Sequence, residues 1–215
     1  MFDDQAPPYC GAPPVPANLW SRWNLDPILI AALAAVWIAY GLWARRSGVS
    51  GGRRLLFHLG WGLTGLALIS PLCPLSVALF SARVGQHMFL TTAAAPLVAL
   101  GRPFHVAGAI WRRWSRNAGL RIRSGLPGPL WAAIAYAMGL WFWHSPGPYD
   151  ATFHGPLVYW LMHRTLYGAA LWLWAELLDD GGRRFAGAAA ATAFTSVQMA
   201  VLGAVVTFAG RPLYA

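Results

Sequence analysis

The chain has 215 residues, of which 57% are hydrophobic and only 11% charged, with 16 basic side chains against 7 acidic ones and a formal net charge of +9. Too few polar side chains exist to cover a soluble domain of this size, so the composition excludes an ordinary globular protein and points to a bilayer as solvent. Every basic residue is arginine, and no basic run is interleaved with the polar residues that a nucleic-acid surface needs, so nucleic acid is not an expected partner.

Residues 1–26 read as a Pro-rich tail that carries Asp3, Asp4 and Asp26 against the single Arg22. It lacks a basic start followed by an apolar run, so it is expected to stay on the mature chain rather than leave as a signal peptide. Its prolines favour an extended strap, with Trp20 and Trp23 as anchors at the membrane interface. Residues 27–215 then hold six apolar stretches: Ile28–Trp43, Leu55–Ile69, Val84–Leu100, Leu130–Trp143, Leu157–Trp174 and Phe185–Ala209. Several fall short of the ~20 residues that span a bilayer, but Trp, Gly and Ser at their ends can extend them. The expected fold class is therefore all-α, a polytopic membrane bundle of about six transmembrane helices.

The arginines orient this bundle. Arg45, Arg46, Arg53 and Arg54 flank the first connection; Arg102, Arg112, Arg113, Arg116, Arg121 and Arg123 fill the third; Arg183 and Arg184 mark the fifth. These three connections are expected on the cytoplasmic side. The tail, the loop around Cys73 and the loop from His144 to Pro156 are then extracytoplasmic. The long third connection, Arg102 to Pro129, includes Trp111, Arg112, Arg113 and Trp114, which suggest a short amphipathic helix on the inner leaflet.

Ionisable groups inside spans are costly, so each is a candidate functional residue. His87 lies about one turn inside the outer end of the third stretch, His144 closes the outer end of the fourth, and His163 sits roughly 10 Å below the outer surface in the fifth. Neutral imidazole is the commonest metal ligand, and three of them at one depth on three helices suggest a copper or zinc site. Met88 and Met162 adjoin two of these histidines, and thioether sulfur favours Cu(I) over zinc. Neighbours on a helix point about 100° apart, so the histidines are the expected ligands and the methionines are transfer or alternate ligands. The competing structural reading is that each imidazole simply bonds a carbonyl or a tyrosine between helices.

The segment His144-Ser145-Pro146-Gly147-Pro148-Tyr149-Asp150 reads as a stiff turn that aims His144. Its Asp150 either accepts from an imidazole N–H or balances Arg164. Cys10 and Cys73 share the outer side, with three fates open: a disulfide, a Cu(I) thiolate site, or two unrelated thiols. His154 reads as a solvated loop residue, and His58 and His105, at the inner side, as structural. Gln198 must find a partner between helices, while Gly60, Gly62 and Gly65 permit close helix approach. The chain has no P-loop, nucleophile elbow, paired carboxylates or HExxH motif, so an enzyme is not expected.

Several short motifs then fall in a definite order. They are Leu79-Phe80-Ser81-Ala82 followed by Gln86-His87-Met88; Ala95-Pro96-Leu97 with Leu100-Gly101 and Pro103; Trp143-His144 with Pro146, Tyr149 and Asp150; Met162-His163; and Gln198 with Leu202-Gly203-Ala204, Thr207-Phe208-Ala209 and Pro212-Leu213-Tyr214. In that order and spacing they resemble the CtaG-like family of multi-helix cytochrome c oxidase assembly factors, from Trp20 onward. The resemblance implies a bacterial inner-membrane protein that works with oxidase subunits at the extracytoplasmic side, with copper as the implied metal. Many members carry His-Met where this chain has Arg83-Val84, which removes one candidate ligand pair and puts a cation at the edge of the site. Members also usually continue into a further helix beyond the Pro-Leu-Tyr element. A haem-binding electron carrier using two histidines as axial ligands and a metal-free scaffold for oxidase subunits are the alternatives.

Twelve of the 16 arginines lie in the connections assigned to the cytoplasm. Reporter fusions at Gly51 and Gly119 are therefore expected to read cytoplasmic and one at Gly147 extracytoplasmic; the opposite pattern would invert the topology.

Overall fold

The computed structural model describes residues 8–117, 128–178 and 185–210, and among them every regular element is helical. Ten α-helices follow a short 3₁₀ turn at Leu19–Ser21: α1 (Pro27–Arg46), α2 (Gly51–Ile69), α3 (Leu72–Ala78), α4 (Phe80–Met88), α5 (Ala95–Leu100), α6 (Pro103–Asn117), α7 (Pro129–Trp143), α8 (Pro146–His154), α9 (Pro156–Leu177) and α10 (Phe185–Thr207). A π-helical segment, Phe89–Ala94, joins α4 to α5. Arg121, Arg123, Arg183 and Arg184, like the Pro212-Leu213-Tyr214 element, lie outside the described residues.

All six apolar stretches are helical. Two helices, α1 and α10, are long and apolar enough to cross a membrane, and the number rises to four if two bent pairs each count as one span. Those pairs are α2 with α3, bent by 48°, and Phe80–Leu100 with α6, bent by 53°. The remaining two stretches lie on α7, apolar but only 15 residues long, and α9, whose 22 residues include His163, Arg164 and Glu176. The described residues thus form a helical protein with two to four candidate membrane spans. The structure also replaces two expected loops by helix. The segment around Cys73 is α3, and the expected Pro-rich turn after His144 is α8, because Pro146 at its first turn supplies a helix-ready φ where its missing N–H costs nothing.

The third stretch shows how the sequence bends a helix without ending it. Pro96 has no N–H to donate and its ring would collide with the carbonyl one turn earlier. The π segment directly before it widens the helix by one residue per turn and relieves that collision. The hydroxyls of Thr91 and Thr92 bond back to the carbonyls of His87 and Met88 at 2.8 and 2.7 Å, absorbing acceptors on the α4 side of the defect.

The helices form a row. α1 packs on α2 and α6; α2 packs on α5 and the π segment; α5 packs on α9, α9 on α7, and α7 on α10. α1 and α10, at the two ends of the row, remain largely exposed. Two glycines set its tightest approaches. A Cβ at Gly60 would sit 2.7 Å from Val98 N and 2.8 Å from Ala94 O, and one at Gly101 would sit 2.5 Å from Phe57 Cβ. Gly62 and Gly65 meet only ordinary contacts. At the arginine end, Tyr40 Oη donates to Gly101 O at 2.7 Å, His105 Nε2 lies 3.1 Å from Ser47 O, and Tyr40, Ala44, Phe57, Val98 and Val106 make one apolar cluster. The α1–α2 and α5–α6 connections therefore share one end of the bundle, and α6 displays the expected exposed Trp111 and Trp114, with rings 5.0 Å apart.

At the opposite end the tail crosses the bundle and is held by a disulfide, Cys10–Cys73, with Cα atoms 5.4 Å apart. Of the three fates open to these cysteines, the structure shows the bridge, so neither is available as a thiolate ligand. Tyr9 stacks on Tyr159 and donates its hydroxyl to Asp26, whose carboxylate also caps α1 by accepting from Ile28 N at 2.8 Å. Those two donors, Tyr9 first, hold the Asp26 carboxyl below its usual pKa, while burial and the adjacent Asp26 push the Tyr9 phenol up.

Gly60→Ala should destabilise the protein by about 1–3 kcal/mol, as overpacking of a tight core does, while Gly62→Ala should stay within roughly 0.5 kcal/mol of the parent; thermal melting in detergent checks both. Cys10→Ser should cost on the order of 4 kcal/mol, since the bridge closes a loop with a sequence separation of 63 residues. Because the folded pKa of Asp26 is depressed, the clamp it makes is complete above its unfolded pKa of ~3.9 and is lost as pH falls through the lower folded value. Tyr9→Phe should reduce that acid sensitivity, read as hydrogen exchange of the tail against pH.

Candidate metal centre

His87 and His163 come from α4 and α9, and their rings approach to 5.2 Å between centroids in an edge-to-face arrangement. His163 is buried, and although His87 is half-buried as a residue, the Nε2 atoms of both rings are buried and have no hydrogen-bond partner among the described residues. His163 Nδ1 lies 3.0 Å from the carbonyl of Tyr159, one helical turn back, and His144 Nδ1 lies 2.7 Å from the carbonyl of Leu140 in the same way. A carbonyl only accepts, so both rings carry their proton on Nδ1 and, when neutral, have an unprotonated Nε2. That is the tautomer a metal-ligating histidine adopts.

His144, at the C-terminal end of α7, faces the same side of the site as His87. The two line one cavity of about 440 Å³ together with Met88, Tyr136 and Met199. Among the described residues no group of three His, Cys, Asp or Glu side chains is close enough to enclose an ion. The histidines therefore form a close pair with a third imidazole across a cavity. Burial of two unpartnered ring nitrogens is the feature that fits a metal, since such atoms ordinarily find partners.

The surroundings were only partly foreseeable. Arg83 is buried one turn before His87 on α4, where its guanidinium donates to Thr152 Oγ1 and approaches Met162 Sδ at 3.7 Å. It lies over the rings of Tyr149 and Phe153 at 4.6 and 4.3 Å. This cation is buried between α4 and α8. Met162 is fully buried against Cys10, Cys73 and Tyr159, with its sulfur turned to Arg83. Met88, by contrast, is half exposed in the cavity wall. Asp150 is not second to any of the three imidazoles; it pairs with His154 at 3.2 Å on the exposed face of α8. Neither Cys10 nor Cys73 contributes a ligand, because both sulfurs are in the bridge.

Sequence reasoning missed Tyr159. Its ring packs on His163 at 4.2 Å and its hydroxyl points at both sulfurs of the bridge, 3.4 Å from Cys10 Sγ and 3.6 Å from Cys73 Sγ. It also missed Gln86, fully buried, which donates to Ala67 O at 2.8 Å while its Oε1 stays unpartnered. The signal for Tyr159 was present, one turn before His163 on the same helix face. Gln198, in contrast, accepts from Trp141 Nε1 at 2.9 Å, the interhelical bond that its depth required.

The model of the cytochrome c oxidase caa3 assembly factor family matches residues 34–215, and the chain belongs to that family. No curated protein and no solved structure matches it.

Nitrogen NMR of histidine-labelled protein without added metal should show His144 and His163 as Nδ1-protonated neutral rings. An Nε2-protonated His163 would remove the lone pair from the site.

Proposed function

We propose that this family member is a bacterial inner-membrane protein with six spans and an extracytoplasmic N-terminus, which handles copper for a maturing cytochrome c oxidase at the disulfide end of the bundle. It is a binding and assembly protein rather than an enzyme, and oxidase subunits are its partners. Membership of the family supports the assembly role. The copper reading is supported above all by the buried, unpartnered Nε2 atoms of His87 and His163 on adjoining helices.

In this reading His87 and His163 are the principal ligands, and His144 is the third, reached across the shared cavity. Imidazole accepts copper readily, and the thioethers of Met88 and Met199 in the same wall favour the monovalent ion. Arg83 acts in the same direction. A fixed unit charge repels a divalent ion twice as strongly as a monovalent one at the same distance, so the buried guanidinium selects Cu(I) over Cu(II) and zinc. Tyr159 fixes the orientation of His163 through its carbonyl and its ring, and it couples the site to the strap that carries Cys10. With Tyr159 at 4.2 Å and Trp160 at 6.2 Å from the His163 ring, the packing around that imidazole suits a single ion better than a porphyrin plane.

Deleting the protein should lower oxidase activity while oxidase subunits are still made, and His144→Ala or His163→Ala should reproduce the loss with the protein still in the membrane. Excess copper should partly restore activity, because mass action substitutes for a factor that raises local metal availability. In purified protein, His163→Ala should weaken Cu(I) binding about tenfold or more, and Arg83→Gln should strengthen it. Purified protein that binds no Cu(I) would leave a metal-free scaffold. A strain lacking it with normal oxidase activity at limiting copper, and no second copy of the gene, would overturn the assembly role.

A further inference from the structure

The groove between α1 and α2 has the charge pattern and length of one phospholipid. At the arginine end it opens into a hollow of about 680 Å³ lined by Arg45, Arg46, Arg54 and His58, with no carboxylate in its wall. Arg54 Nε and His58 Nδ1 are buried there and find no hydrogen-bond partner among the described residues. The N-terminus of α2 joins the same hollow at Gly51. Ser50 gives this helix no side-chain cap, and neither Gly51 nor Gly52 carries a Cβ that would block approach to the first-turn N–H groups. Three guanidiniums and the positive end of a helix dipole are complementary to a phosphate.

Further along the same two helices the groove becomes a second hollow of about 520 Å³, lined by Ala34, Trp37, Ile38, Gly62, Gly65 and Leu66. The two hollows are neighbours: Trp37 in the wall of the second packs on His58 in the wall of the first, 4.8 Å between rings. The lining residues of α1 run through 34, 37, 38, 41, 42 and 45, the spacing of one helix face. That face is about 16 Å long at 1.5 Å per residue, which matches one leaflet of a ~30 Å hydrocarbon core. Small residues keep the groove hollow, and α1 as a whole is little buried by the rest of the protein.

We propose that this groove is a binding site for an anionic phospholipid, with the headgroup phosphate on Arg45, Arg46 and Arg54 and one acyl chain along Trp37, Gly62 and Gly65. Basic pockets between transmembrane helices are where anionic headgroups bind, and here the apolar half lies in line with the basic half. The lipid completes the weak α1–α2 interface, and a soluble phosphate would leave the apolar half unfilled. The site is separate from the histidines and does not depend on copper.

Native mass spectrometry of the full chain in detergent, titrated with phosphatidylglycerol or phosphatidylcholine, tests this. Phosphatidylglycerol should bind at least about tenfold more tightly. Arg45→Gln/Arg54→Gln should weaken it roughly thirtyfold, at about one fivefold step per arginine, and Arg45→Gln/Arg46→Gln, whose side chains are exposed, serves if the first pair fails to fold. Arg112→Gln/Arg113→Gln, with the same charge change on α6, should alter binding less than about threefold. Gly65→Leu should weaken the lipid by filling the apolar hollow, and millimolar inorganic phosphate should not displace it. Equal binding of the two lipids, or equal loss in the groove-arginine and α6 variants, would reduce the effect to surface charge and overturn the site. Displacement by inorganic phosphate would make it a free-anion site instead.

Discussion

A polar group buried among apolar helices has only other helices to bond to, because no water is there to take its place. That constraint organises this bundle. Trp61 reaches the carbonyl of Leu33, Gln86 that of Ala67, Trp174 that of Thr91, and Thr64 meets the hydroxyl of Tyr167. Each bond ties one helix of the row to another at a depth where breaking it would leave a donor unsatisfied, at a cost of about 1–3 kcal/mol. The apolar residues alone would permit many rotations of so many similar helices; these bonds choose among them.

Under so strict a rule the exceptions are informative. Seven buried side-chain nitrogen or oxygen atoms have no partner among the described residues, and five of them fall in two places. Gln86, His87 and His163 gather at the disulfide end, and Arg54 and His58 at the arginine end. The first group is made of lone pairs near a buried cation; the second belongs to cationic and imidazole side chains in an open groove. The two ligands proposed for them, a metal ion and a phosphate, are accordingly opposite in charge. The disulfide end is also the better fixed, since the bridge ties the tail to α3, the Tyr9–Asp26 bond to the start of α1 and the Tyr159 ring to α9.

Arg83 shows how a buried cation can be absorbed between helices. The chain surrounds its guanidinium with Thr152, Met162 and two aromatic faces. Helix α8 exists at the right place to do this, because Tyr149, Thr152 and Phe153 recur at helical spacing and all reach Arg83. A stiff turn, the expectation from Pro146 and Pro148, would not have presented three such side chains together. The charge remains, buried where α4 packs against α8.

Hydropathy and arginine placement were enough to determine the helical class, the positions of the six apolar helices and the segregation of Arg45, Arg46, Arg53, Arg54 and Arg102 to one end, because these depend on transfer energies that each segment carries by itself. The depth of each histidine along its own helix was legible for the same reason. Three-dimensional packing decided the rest. Whether Cys10 reaches Cys73, whether Asp150 serves an imidazole or its own neighbour His154, and whether Tyr159 joins His163 to the bridge depend on rotations and crossings of helices far apart in sequence. So does the pairing of the α1 and α2 faces into one groove. Apolar periodicity leaves those rotations nearly degenerate, and only the mutual satisfaction of buried polar groups settles them.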